Sequence, residues 1–468
     1  MHERAISMSK GKAREGSTWQ LGWWDLCHST EGVRRPLEWT KSSIIFTAHP
    51  NQPLILARHF PSSRQFLIPS PAAIVSSPAS YEPPTIISVS QTDDWLFAYF
   101  PGRGRDGVGC LWKKGAQVDS WIVKESWGFA IGAGVVTTAW TCAHREWVMS
   151  DTGTTYHLPP RGPFTPSSGP RLLLVTQSHQ LHSSDTRIQI DSDTIGGPGG
   201  ERVCIKAAIG LGYSESSILV AMRSQLLPSR SVNHSSFTSM EFLSLDMSNP
   251  STPSENVFTT EWELWGEEPT IHVCEVQLDP REGIPIVTRP LSPLSPGSTH
   301  LAELSFFCQP PLRSPGSNSK GMKKDSKEAS IDKGGLYLIA GFLDPGDYTS
   351  VPKSEIALFS FVKKDGPSSS NGSNWTCRLE AKRIVETKVL GFLAPSLSRN
   401  SLLAGFLDIS GPLPHRKQRT KEVVIGSIEV LKLPDLSNHE GWESTNGHKR
   451  GGDECICVAI SPNGTLSP

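Results

Sequence analysis

Apolar residues in this chain come in short runs, separated by clusters of polar and turn-forming residues. The clearest stretch is Ile86–Trp112. Ile86, Ile87 and Val89 form a first apolar run, and Gln91, Thr92, Asp93 and Asp94 make a polar turn. Trp95–Phe100 then places six apolar or aromatic residues in a row. A Gly-rich loop reverses the chain into Val108–Trp112. Aromatic and β-branched runs bounded by Gly, Asp and Pro are strand signals. The pattern predicts strand, turn, aromatic strand, hairpin and a further strand.

The same rhythm recurs on both sides of this stretch. Upstream, the aromatic-rich Trp19–Leu26 is followed by predicted strands at Ser43–Ala48, Pro53–Ala57 and Gln65–Ile68, and residues 69–84 read as a Pro/Ser linker. Val118–Lys124 continues the clearest unit. A third unit is predicted at Gly134–Trp140, Arg145–Met149 and Thr154–Leu158, and Arg171–Thr176 reads as the start of a fourth. Residues 182–200 read as a loop. Further strands are predicted at Val203–Ile209, Ser217–Met222, Thr238–Leu245, Thr270–Leu278, Ile284–Thr288 and Leu301–Cys308. The pattern returns at Gly335–Phe342, Ser354–Val362, Trp375–Leu379, Lys388–Phe392, Ser401–Leu407 and Glu422–Leu431. Almost nothing reads as helix, and β-branched pairs such as Val135-Val136 and Thr137-Thr138 disfavour one.

Strand groups every few tens of residues point to an all-β, WD40-like β-propeller with about 40–50 residues per blade. No Gly-His…Trp-Asp pair recurs, so the repeat is loose, and a pair of β-sandwiches is the structural rival. The propeller is expected over residues 19–468, after a disordered tail at 1–18. Cys455–Leu466 reads as a strand running into a Ser-Pro-Asn-Gly turn, as though a last blade opened without completion.

Composition adds insertions to this picture. Hydrophobic residues make up only 37% of the 468-residue chain, while Gly (41) and Pro (37) are abundant, as in a β core diluted by disordered segments. Residues 309–333 and 364–374 lack periodicity and are expected to be disordered. The net charge of −1 gives no global drive toward nucleic acid or an anionic membrane. Nine scattered cysteines and the absence of an apolar leader segment favour a reducing intracellular compartment. In that setting the sequons at Asn233, Asn371 and Asn374 are chance matches in Ser-rich segments.

The candidate chemistry is thin. Gly102–Gly107 (GRGRDG) matches a dinucleotide-loop pattern, but a phosphate cradle needs a following helix, and a strand follows here. His144, Arg145, Glu146 and Asp151 flank a strand without a constellation that would orient them. Asp93 and Asp94 are the tight carboxylate pair of the clearest unit, and their turn position accounts for them. No histidine spacing suits a metal. No catalytic, cofactor-binding or metal-binding residue is therefore assigned, and no cofactor is expected. The basic run His415–Lys421 suits either a solvated loop or a nuclear-import or acidic-partner contact. Six of the fourteen Trp (Trp95, Trp112, Trp121, Trp127, Trp140 and Trp147) cluster in about fifty residues, as core between blades or as anchors for a partner.

The stretches WTKSSIIFTAHP (39–50), ISVSQTDDWLFAYFPGRGRDGVGCLWKKG (87–115), WIVKESWGFAIGAGVVTTAW (121–140), REWV (145–148) and LPPRGP (158–163) together resemble the amino-terminal propeller of the fungal Mediator subunit-sixteen family. The resemblance covers about a quarter of the chain, from Trp39 to Pro163. It implies a nuclear, non-enzymatic scaffold of the Mediator tail. Other tail subunits would be its partners, and through them transcription activators and RNA polymerase II. The helical carboxy-terminal region of that family has no counterpart here. An intracellular adaptor in ubiquitin ligation or trafficking is the first alternative, and a propeller glycosidase the second.

Overall fold

A computed structural model describes residues 36–141, 145, 147–149, 155–163, 170–183, 186–189, 202–213, 215–226, 270–278, 287–295, 300–311, 334–344, 353–363, 375–396, 400–408, 425–439 and 445–446. All belong to one compact unit, Arg35–Pro468. The regular structure of the described residues is almost entirely strand, arranged as six four-stranded antiparallel sheets and one two-stranded hairpin.

Blade 1 holds β1 (Leu37–Trp39), β2 (Ile44–Ala48), β3 (Ile55–His59) and β4 (Arg64–Leu67) in that spatial order. Blade 2 holds β5 (Ile86–Val89), β6 (Trp95–Phe100), β7 (Gly107–Lys114) and β8 (Trp121–Phe129). Blade 3 begins with β9 (Val135–Thr141), after which β10 (Trp147–Met149) and β11 (Thr155–His157) pair only with each other. It is completed by β12 (Arg171–Thr176), β13 (Gln180–Ser183) and β14 (Thr186–Gln189). Blade 4 holds β15 (Arg202–Gly210), β16 (Ser217–Leu226), β17 (His272–Gln277) and β18 (Val287–Pro290). Blade 5 holds β19 (His300–Gln309), β20 (Gly335–Asp344), β21 (Lys353–Lys363) and β22 (Trp375–Glu386). Blade 6 holds β23 (Lys388–Ser396), β24 (Ser401–Asp408), β25 (Ile425–Lys432) and β26 (Thr445–Asn446).

The first strands of successive sheets lie against one another, β1 on β5, β5 on β9, β9 on β15, β15 on β19 and β19 on β23. Sheets that touch through their first strands in chain order radiate from a common axis. The fold is a six-bladed β-propeller.

The interior strands show why the sequence reads as continuous apolar runs. Successive side chains of a strand point to opposite faces. On β6, Leu96, Ala98 and Phe100 enter the core shared with blade 1, while Phe97 and Tyr99 enter the core shared with blade 3. On β12, Leu172 and Leu174 face blade 2, and Leu173 and Val175 face blade 4. On β16, Ile218, Val220 and Met222 face blade 3, and Leu219 and Ala221 face blade 5. Both faces of such a strand are dry, so both parities must be apolar. The fourth strands differ: β8 and β22 alternate buried or half-buried residues with exposed ones, because one face meets solvent.

Several sequence-based expectations need correction. The segment 69–84 is not an irregular linker. It contains α1 (Ala72–Ser76) and a 3-10 turn at Pro78–Ser80, with Ile74 and Tyr81 buried. Pro71 precedes α1 and Pro78 opens the 3-10 turn, positions where a missing N–H costs nothing. Arg171–Thr176 does not start a fourth blade. It pairs with β9 (Leu173 opposite Ala139) as the second strand of blade 3, and the β10–β11 hairpin is an insertion between them. Part of the expected loop 182–200 is strand, since β14 pairs with β13. β22 runs to Glu386 instead of ending at Leu379, and Thr387 alone links it to β23. The tail 1–18, Trp19–Leu26, Thr238–Leu245, the insertion at 364–374 and Cys455–Leu466 lie outside the described residues, as does 309–333 apart from Gln309, Pro310 and Pro311.

Candidate functional site

A few polar side chains in the body of the propeller pin neighbouring blades. Trp140 donates from Nε1 to Ser88 Oγ (3.0 Å), tying blade 3 to blade 2. His179 and Ser224, 2.8 Å apart, tie blade 3 to blade 4. Burial pushes the His179 imidazole down to about 4, with Arg202 and His272 adding like-charge repulsion, so it is neutral near pH 7. Between blades 4 and 5, buried Glu275 Oε1 accepts from Ser217 Oγ (2.8 Å) and Trp375 Nε1 (3.2 Å). Lys363 Nζ reaches Glu215 at 2.7 Å beside them. Between blades 5 and 6, Arg383 and Lys388 share Glu429, at 2.8 and 2.7 Å.

The sequence-level candidates fall into these structural roles or outside the described residues. Gly102–Gly107 is the β6–β7 hairpin turn. Gly104 has φ +66°, and a Cβ on Gly102 would meet the Arg105 carbonyl oxygen at 2.3 Å, so the glycines serve a tight reversal. Asp93 and Asp94 cap the β5–β6 turn: Asp93 Oδ2 accepts from the Ser42 amide of blade 1, and Asp94 Oδ1 accepts from Ser90 Oγ. Asp93 also helps raise the Glu38 carboxyl, which burial pushes up to about 7. His144, Glu146, Asp151 and the run His415–Lys421 lie outside the described residues, and Arg145 is exposed. Of the clustered tryptophans, Trp112, Trp121 and Trp140 are buried, while Trp95 and Trp127 are half-buried. Cys110, Cys204, Cys274 and Cys308 are buried, and burial pushes the Cys110 and Cys204 thiols up to about 12. No group of three or more metal-ligating side chains occurs among the described residues. No described helix is long and apolar enough to cross a membrane.

A groove of about 410 Å³ lies between blades 1 and 2. Turns of an antiparallel meander alternate between its two ends. The second-to-third-strand turns (β2–β3 and β6–β7) and the β4–β5 connection therefore share one end, and the groove opens there. One wall is the β2–β3 turn, with Asn51, Gln52, Pro53 and Leu54, braced by His49 Nδ1, which accepts from the Asn51 and Gln52 amides. Ile74 and Val75 of α1 with Pro78 and Ala79 make the second wall. The β6–β7 turn closes it with Arg103, whose amide donates to the Ser80 carbonyl at 2.9 Å. Buried Tyr81 lies below, and the Arg105 guanidinium sits 5.1 Å from its ring centroid. Sequence reasoning missed this groove, because Pro/Ser-rich composition hid the one buried isoleucine on which α1 is seated.

No protein-family profile matches the chain, and no curated protein matches it. Among solved structures, the C-terminal WD40 domain of Sif2 aligns with 92% of this chain and 90% of its own at 9% identity and TM-score 0.37. The Cps50 (Swd1) β-propeller domain of Myceliophteria thermophila aligns with 79% and 92% at 13% identity and TM-score 0.30. The WD40 domain of SCAP from fission yeast aligns with 89% of each chain at 6% identity and TM-score 0.32. The propeller assignment stands on this chain's own sheet order.

Proposed function

We propose that this chain is a non-catalytic interaction scaffold in the nucleus, a subunit of the Mediator tail that relays transcription activators to RNA polymerase II. A propeller holds its turns and rims on a rigid frame, which suits protein contact. The observation that carries the scaffold reading is how the buried polar side chains are used. His179, Trp140 and Glu275 each make a hydrogen bond across a blade boundary. The groups left on the turns and rims are then the ones available to partners.

The Mediator assignment is supported by the quoted stretches between Trp39 and Pro163, which run from β1 through the tail of the blade 3 insertion. The balanced charge accords with contact to proteins more than to nucleic acid or membrane. Affinity purification of the tagged full chain from nuclear extract tests the reading. Recovery of Mediator tail subunits in stoichiometric amounts is the expected result. Recovery of ubiquitin-ligase or trafficking proteins alone, or glycan hydrolysis by the purified chain, would overturn it.

A further inference from the structure

We infer that the groove between blades 1 and 2 is a docking site for a short, extended peptide of a partner protein, one that sets an apolar side chain beside an acidic one. The inference builds on the scaffold reading and does not depend on the partner being Mediator.

Two features of the groove define this occupant. Its floor and one wall are apolar: Leu54, Ile74, Val75, Pro78 and Tyr81. Val75 stands 67% exposed although the preceding residue of the same helical turn, Ile74, is fully buried. An exposed Val at the mouth of a pre-formed concavity presents apolar surface that no described residue covers. The second feature is charge. Among the described residues lining the groove, Arg103 is the one that carries a charge near pH 7. It is exposed, and among the described residues it takes part in no ion pair. Arg105 stands at the rim, held against Tyr81 by a cation–π contact. A fork-shaped guanidinium beside an apolar slot matches a carboxylate adjacent to an aliphatic side chain. Asn51, Gln52 and Ser70 supply polar edges for the backbone of an extended ligand.

The walls are fixed before any ligand arrives. Tyr81 and Gly102 form a β-bridge, and the amides of Arg103 and Glu82 donate to the Ser80 and Pro101 carbonyls, each at 2.9 Å. A pre-formed wall keeps the ordering cost of binding low.

Fluorescence anisotropy with the full chain tests this. The probe is a fluorescein-labelled decapeptide carrying two leucines flanked by four aspartates. Control peptides replace the aspartates with asparagine, or the leucines with serine. The expected result is saturable binding of the probe that weakens with salt and is at least about tenfold weaker for either control. Arg103→Glu combined with Arg105→Glu should abolish binding. Val75→Ser should weaken it several-fold and leave the salt dependence unchanged. All three sites are exposed, so circular dichroism and the melting temperature of the variants should match the parent. Equal binding of all three peptides, or binding indifferent to Arg103→Glu, would overturn the proposal. So would self-association of the chain that Val75→Ser abolishes, since the groove would then take a second copy. Failure here with intact recovery of Mediator subunits would leave the scaffold reading in place.

Discussion

Half-buried Glu38 and buried His179 give this propeller a pH dependence that its net charge of −1 would not. Glu38 is pushed up to about 7 from 4.5, by burial and by Asp93. The folded state therefore holds a proton that the unfolded chain releases between pH 4.5 and 7, and Glu38 lowers stability as pH rises through that window. His179 is pushed down to about 4 from 6.5, chiefly by burial. There the unfolded chain binds the extra proton, so stability falls as pH drops from 6.5 toward 4. The two slopes oppose each other where the windows overlap. Glu38→Gln should raise stability at pH 8 more than at pH 5, and should expose the rising His179 limb. Urea unfolding at a series of pH values checks this; a variant whose gain is independent of pH would contradict the assignment to Glu38.

At the scale of elements, the strands and the connections were unequally legible. β6, β16, β20 and β21 stand out in sequence because their central residues are buried on both faces, so apolar residues run on at both parities there. β14 and the later half of β22 did not: Thr186–Gln189 is short and mostly polar, and β22 alternates exposed polar residues with half-buried ones. α1 was hidden for a different reason. Five residues with a single buried side chain have no periodicity to detect, and only the wall of the β6–β7 turn makes the helical turn worth forming. The β10–β11 hairpin pairs with itself alone, so it should be dispensable to the blades. Replacing residues 147–157 by a short Gly/Ser linker is expected to change unfolding free energy by no more than ~0.5 kcal/mol. Leu158, just beyond it, is buried in the core shared by blades 4 and 5. Leu158→Ala should cost ~2–4 kcal/mol by cavity formation. Equal losses for both changes would show that the hairpin is integral to blade 3.

Across the whole molecule, neighbouring blades are joined by shared apolar cores and by a few polar pins, so each interface is a nearest-neighbour term. The Glu275 cluster is a buried pin between blades 4 and 5. Glu275→Ala removes the acceptor used by Ser217 and Trp375 and should cost ~2–4 kcal/mol. Because the loss falls on one interface, limited proteolysis should reach blades 5 and 6 first in this variant. Uniform digestion across all blades would argue against a pairwise pin. What the sequence determined alone was the strand chemistry: double-parity apolar runs, aromatic clusters and Gly-bounded turns leave no alternative to an all-β chain. Blade membership was decided by tertiary structure, because pairing joins β9 to β12 across an inserted hairpin, and no local pattern records which strands will be neighbours. The groove between blades 1 and 2 was decided in the same way. It exists because antiparallel chain reversal brings a β2–β3 turn, a helical connection and a β6–β7 turn to one end, and sequence spacing carries no trace of that meeting.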